Sequence, residues 1–154
     1  MTDSSRVDEA RSGLPDWAAD LRDNFDSVIE VVGAPPGEAD SDPVSVLPYL
    51  QSYINELPLE EFENSDWATL HTDIVSFLAR VMAVDRRATW QVREAPNSPR
   101  GYRYVLRATD AQGNAHDVDP FEVVAQEFQR RPIDVARMVA DTELSLGATP
   151  IDNN

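Results

Sequence analysis

The chain has 154 residues, 42% of them apolar, with 28 acids against 13 basic residues and a formal net charge of −15. That supplies apolar material for one packed domain, and no run of about 18 apolar residues offers a membrane span. No cysteine is present, which excludes disulfides, thiolate metal sites and thiol nucleophiles.

The charge is unevenly laid out. Every Lys/Arg position is arginine. Residues 1–79 hold 17 acids and 3 arginines, a balance of −14, whereas residues 80–154 hold 11 acids and 10 arginines, a balance of −1. Nucleic-acid binding needs clustered cations to displace counterions, so nucleic acid is not an expected partner. Anionic membrane surfaces are disfavoured for the same reason. A lysine-free acidic composition also fits salt adaptation or plain solubility. The opening stretch MTDSSRVDEARSG lacks the basic-then-apolar order of a secretory signal, so a cytoplasmic protein is expected.

Residues 1–14 are small and charged and are expected to be disordered. Leu14-Pro15-Asp16 then reads as a helix start, with proline at the first helical position and an acid facing the dipole. Trp17, Leu21, Phe25, Val28, Ile29 and Val32 fall on one face of that helix, and Gly33 stops it. Glu38–Pro43 reads as an acidic linker. A second helix is expected within Val44–Leu57, starting near Ser45 or Val46 because Pro48 is tolerable only in a first turn. Leu59–Asn64 is a connector, so residues 15–64 form an acidic helical segment.

The remainder, residues 65–147, reads as an α+β core domain, followed by a flexible tail at 148–154. Ser65-Asp66 is expected to cap a helix running to about Val84, with Trp67, Leu70, Ile74, Phe77, Leu78 and Val81 inward. The period then drops to two over Ala88–Glu94, Tyr102–Thr109 and Ala115–Val118. Short turn-rich loops between these strands predict a three-stranded antiparallel meander, packed against N-terminal and C-terminal helices. Asp119-Pro120-Phe121-Glu122 opens a further helix. Arg130-Arg131-Pro132 interrupts it, and a last helix runs to about Leu146 with Gly147 as its cap.

Trp67-x-x-Leu70 on a capped helix, Trp90 on a strand, Asp119-Pro120 and Pro132-Ile133-Asp134-Val135 together resemble a family of small uncharacterised bacterial domains. These have a helix–meander–helix build, and the similarity spans roughly residues 65–145. The resemblance implies that fold and no activity; by analogy with immunity or accessory proteins it implies protein binding.

Chemically able clusters are few. His116-Asp117-Val118-Asp119 is the densest, and a hydrolase or metal-dependent enzyme centred on His116 and Asp117 is one reading. On a strand, however, His116 points away from Asp117 and Asp119. Asp119 is equally read as a helix cap. His71 and Asp73 lie about 200° apart on a helix and cannot share a ligand. No dinucleotide fingerprint, phosphate loop or zinc motif is present, so neither a cofactor nor a metal is expected.

Arg93, Arg103 and Arg107 share the sheet face opposite Trp90, Tyr104 and Leu106. They suit an anion or an acidic partner, or internal pairing with the acidic first half, which is the favoured of the two. The polar face of the first helix carries Asp20, Asp23, Asp26 and Glu30, with further acids over Leu47–Glu63. Such a surface suits a basic protein partner, as in an immunity protein facing a basic nuclease toxin. The expectation is a non-enzymatic acidic binding or accessory protein. The alternatives are the enzyme centred on His116 and Asp117, and a salt-adapted domain whose acids have no partner.

Overall fold

The computed structural model describes residues 3–148. Six helices and one antiparallel sheet follow in the order α1 (Asp3–Val32), α2 (Pro36–Ser41), α3 (Leu47–Asn55), α4 (Asn64–Asp85), β1 (Thr89–Glu94), β2 (Tyr102–Thr109), β3 (Ala115–Val118), α5 (Pro120–Glu127) and α6 (Val135–Ser145). Short 3-10 turns at Pro43–Val46 and Leu59–Glu61 flank α3. The fold is the expected α+β meander, with strand order β1-β2-β3.

The largest departure is at the N-terminus. Where residues 1–14 were expected to be disordered, α1 runs unbroken from Asp3 through Pro15. Residues 1 and 2 lie outside the described chain. Proline inside a helix deletes a hydrogen bond and costs about 3 kcal/mol, so packing must offset it. Val7 and Ala10 are buried together with Val92, and Leu14, Tyr102 and Tyr104 pack around them. These contacts hold the first three turns to the sheet. Glu38–Pro43, expected as linker, falls largely within a short helix, Pro36–Ser41, whose Ala39 is fully buried.

α4 is the axis of the molecule. Six consecutive residues, Ile74 to Ala79, are buried, so neighbours surround this stretch on all sides. Its N-cap is Glu63, not Ser65: Glu63 and Asp66 bond reciprocally in a capping box. The core around α4 draws Phe25 and Ile29 from α1, Leu50 and Ile54 from α3, Leu106 and Val118 from the sheet, Val124 from α5, and Met138 and Leu146 from the C-terminus. Each such apolar side chain contributes about 1.5–3 kcal/mol by leaving water.

The register pairs Trp90 with Leu106 and Leu106 with Val118, and Val92 with Tyr104. These side chains turn toward the helices. Trp17 of α1 stacks flat on Tyr104 (3.7 Å between centroids) and meets Trp90 edge-on at 4.8 Å. One sheet face is thereby closed by α1, as the alternation of apolar residues predicts.

The two C-terminal helices start as their sequences indicate. The Asp119 carboxylate accepts from the Phe121 and Glu122 amides, and the Asp134 carboxylate from the Arg137 amide. The segment between them is tied to α3, because the Gln51 amide donates to the Ile133 carbonyl and accepts from the Val135 N–H. Gly147, at φ +85°, ends α6. The flexible tail expected at 148–154 lies, apart from Ala148, outside the described residues.

Candidate functional site

Helix geometry sorts α1 into two faces. At 100° per residue, Asp16, Asp20, Asp23, Asp26 and Glu30 fall within an arc of about 120°, opposite the arc that carries Trp17, Leu21, Phe25 and Val28. All five acids are exposed, and among the described residues none has an ion-pair partner within 4 Å. Val31, 60% exposed, sits at the end of the same face.

Beside this stripe lies a groove of about 520 Å³ between α1, α2 and α4. Phe25, Ile29 and Pro36 give it apolar walls, and Asp26, Glu30 and Asp40 are the acids that line it. Arg22 and Arg80 lie along it too, Arg80 approaching Asp40 at 3.9 Å. The groove joins a patch for aliphatic carbon to carboxylates, the two halves of a lysine or arginine side chain. The sequence pointed to the acids of α1 but not to Asp40, Pro36 or Arg80, which tertiary packing alone brings to the same place.

The three sheet arginines are placed otherwise than expected. They do share the face turned from Trp90 and Leu106, but their partners are not acids of the first half. Arg107 grips Asp117 with two hydrogen bonds, 2.7 and 3.0 Å, because the register sets the two directly opposite each other. Arg93 approaches the same carboxylate at 4.0 Å. Arg103 bonds Glu122 at 2.9 Å and lies 3.6 Å from Asp119. Three cations thus meet three carboxylates of β3, α5 and the turn between them, and little net charge is left for an outside anion. The Arg107 fork holds the Asp117 carboxyl below its ordinary range, whereas burial pushes Asp119 up.

His116 and Asp117 point to opposite faces, as strand alternation requires. His116 Nε2 donates to Asp110 Oδ2 at 2.7 Å, and Asp110 Oδ1 accepts from the Gln112 and Asn114 amides. A side chain on Gly147 would meet the His116 ring at 2.6 Å, so the imidazole is pinned between the β2–β3 turn and the end of α6. Nothing in this arrangement joins His116 to Asp117 in one chemical act. His71 Nε2 donates to the Phe121 carbonyl, 2.8 Å away, and Asp73 accepts from Asn24 at 3.0 Å. Among the described residues no group of three His, Asp or Glu is arranged to hold a metal ion.

The His116–Asp110 pair gives a pH prediction. The imidazole, and then the Asn114 amide, hold the Asp110 carboxyl down at about 2. A depressed carboxylate contributes stability above its unfolded value, about 4, which is lost as pH falls through the folded value. His116→Ala is therefore expected to melt below the wild type at about pH 5, with the gap narrowing between about pH 4 and 2. A gap that stays constant across that window would show that the pair does not act through Asp110.

No family model, no curated protein and no solved structure matches the chain. No described helix is long and apolar enough to cross a membrane.

Proposed function

We propose that this chain is a non-enzymatic binding protein whose α1 outer face receives a basic surface of another protein. The observation that carries the reading is the contrast between the two halves of the chain. Acids of β3, α5 and the turn between them are matched to arginines across the sheet, whereas Asp16, Asp20, Asp23, Asp26 and Glu30 of α1 stand exposed, with no ion-pair partner among the described residues. A row of like charges held rigid raises the local potential and steers an oppositely charged partner. The neighbouring groove adds apolar contact for the stem of a partner's lysine or arginine. An immunity or accessory role toward a basic protein is the form such binding would take.

The test is affinity capture by the wild type beside a variant carrying Asp20→Asn, Asp23→Asn, Asp26→Asn and Glu30→Gln. A basic protein retained by the wild type should then be measured against both. Its association rate is expected to fall at least about tenfold in the variant, with a flattened dependence on salt. Equal rates and equal salt slopes would overturn the assignment of the face.

A further inference from the structure

A second cavity lies on the other side of α1, and it has the opposite charge character. It measures about 580 Å³ and opens between the first turns of α1 and the loop joining β1 to β2. That volume falls in the range of small-molecule sites, about 300–1,000 Å³. Trp17, Tyr102 and Tyr104 contribute its aromatic lining. Trp17 and Tyr104 are stacked within 9° of parallel, and Tyr102 stands edge-on to Tyr104 at 5.6 Å. The rings fix one another, so these walls exist before any ligand arrives.

Two arginines line the same space. Arg100 holds its guanidinium 5.2 Å from the Tyr102 centroid and 5.6 Å from that of Tyr104. Arg6 enters from α1. Among the described residues neither arginine has a carboxylate within 4 Å, and Glu9 is the one acid in the lining. On a chain of net charge −15, two unneutralised guanidiniums beside one cavity favour an anion.

Gly13 also lines the cavity. Glycine weakens a helix interior, and here no neighbour requires it: a Cβ added at Gly13 meets nothing within 4 Å. What its missing side chain leaves is open space above the helix.

We infer that this cavity binds a planar aromatic anion, a ring bearing a carboxylate or a phosphate. The ring lies against the aromatic wall and the anionic group meets Arg6 and Arg100. The inference does not depend on the acidic face of α1 and survives if that face binds nothing.

The test uses 2-naphthoate and 1-naphthyl phosphate as probes, with neutral 2-naphthamide and non-aromatic cyclohexanecarboxylate as controls. Binding is read by calorimetry and by the NMR signal of the Trp17 indole N–H, assigned with Trp17→Phe. At least one aromatic anion should shift that signal saturably, and the tighter of the two tells carboxylate from phosphate. Both controls should bind at least about tenfold more weakly. Gly13→Leu should stay folded and lose binding, because its side chain fills the space. Arg100→Gln, on an exposed loop, should weaken binding about tenfold and serves as the test if Gly13→Leu fails to fold. The inference is overturned if neither anion shifts Trp17, if the amide binds as well as naphthoate, or if a folded Gly13→Leu or Arg100→Gln binds like the wild type.

Discussion

Glu127→Ala is expected to lower the stability of the fold by about 1.5–3 kcal/mol, the range for hydrogen bonds to a charged group, because Glu127 is buried while its partner Arg137 is 36% exposed. The Glu127 side chain is 2% exposed and is held by three donors. Arg137 reaches it with Nε at 2.8 Å and Nη2 at 2.6 Å, and the Asp134 amide donates at 3.0 Å. Burial alone would raise the carboxyl's pKa, but Arg137 and the Asp134 amide outweigh it and leave it below its ordinary value. In the variant the Asp134 N–H loses its acceptor at the start of α6, and Arg137 loses its partner. Chemical denaturation at pH 7 checks the number, and a loss under about 1 kcal/mol would mean water replaces the carboxylate.

The partner substitution separates charge from shape. Arg137→Met leaves the buried Glu127 carboxylate with only the Asp134 amide as donor, so it should destabilise at least as much as Glu127→Ala. Combining Arg137→Met with Glu127→Met removes both charges and should recover part of the loss. A double variant as unstable as the summed singles would count against a coupled pair. The site matters beyond its own energy, since the same segment is clamped by Gln51 and joins α5 to α6 across α3.

The strands and the last two helices were legible because their signals are local. Alternation over Tyr102–Thr109 and Ala115–Val118 gives both strands with their observed ends, and Asp119-Pro120 marks a cap that forms as read. The start of α1 was not legible, although Val7, Ala10, Leu14 and Trp17 continue the stripe of Leu21 and Phe25 at helical spacing. Gly13 and Pro15 are breakers by propensity, and only the sheet surface supplied by Val92, Tyr102 and Tyr104 makes the helix worthwhile there.

The candidate sites divide along the same line. That Asp20, Asp23, Asp26 and Glu30 share an outer face follows from 3.6-residue periodicity alone. The partners of Arg93, Arg103 and Arg107 depended on strand register and on where α5 returns, which composition cannot supply. A chain so acidic in its first half suggested pairing across the halves; the register instead set Asp117 directly across from Arg107. The cavity at Gly13 was hidden for both reasons, needing a helix and a loop far apart in sequence.

Trp17→Ala should cost about 3 kcal/mol, the lower end for removing a large aromatic, because the ring is only partly buried. Its stack on Tyr104 and edge contact with Trp90 lie where the small Val7–Ala10–Val92 cluster meets the main core. With the ring gone, the first three turns of α1 keep only that cluster, across a proline that already weakens the helix. Two observables should therefore separate. The melting temperature should fall by about 6–12 °C, while amide exchange over residues 4–14 should accelerate beyond what global destabilisation explains. Trp17→Phe retains a ring against Tyr104 and should lose less than half as much. If exchange in α1 and α4 accelerates equally, the N-terminal turns are not a separately anchored unit. Otherwise the order of α1's first turns, and with it the Arg6 wall of the aromatic cavity, is set by one tryptophan.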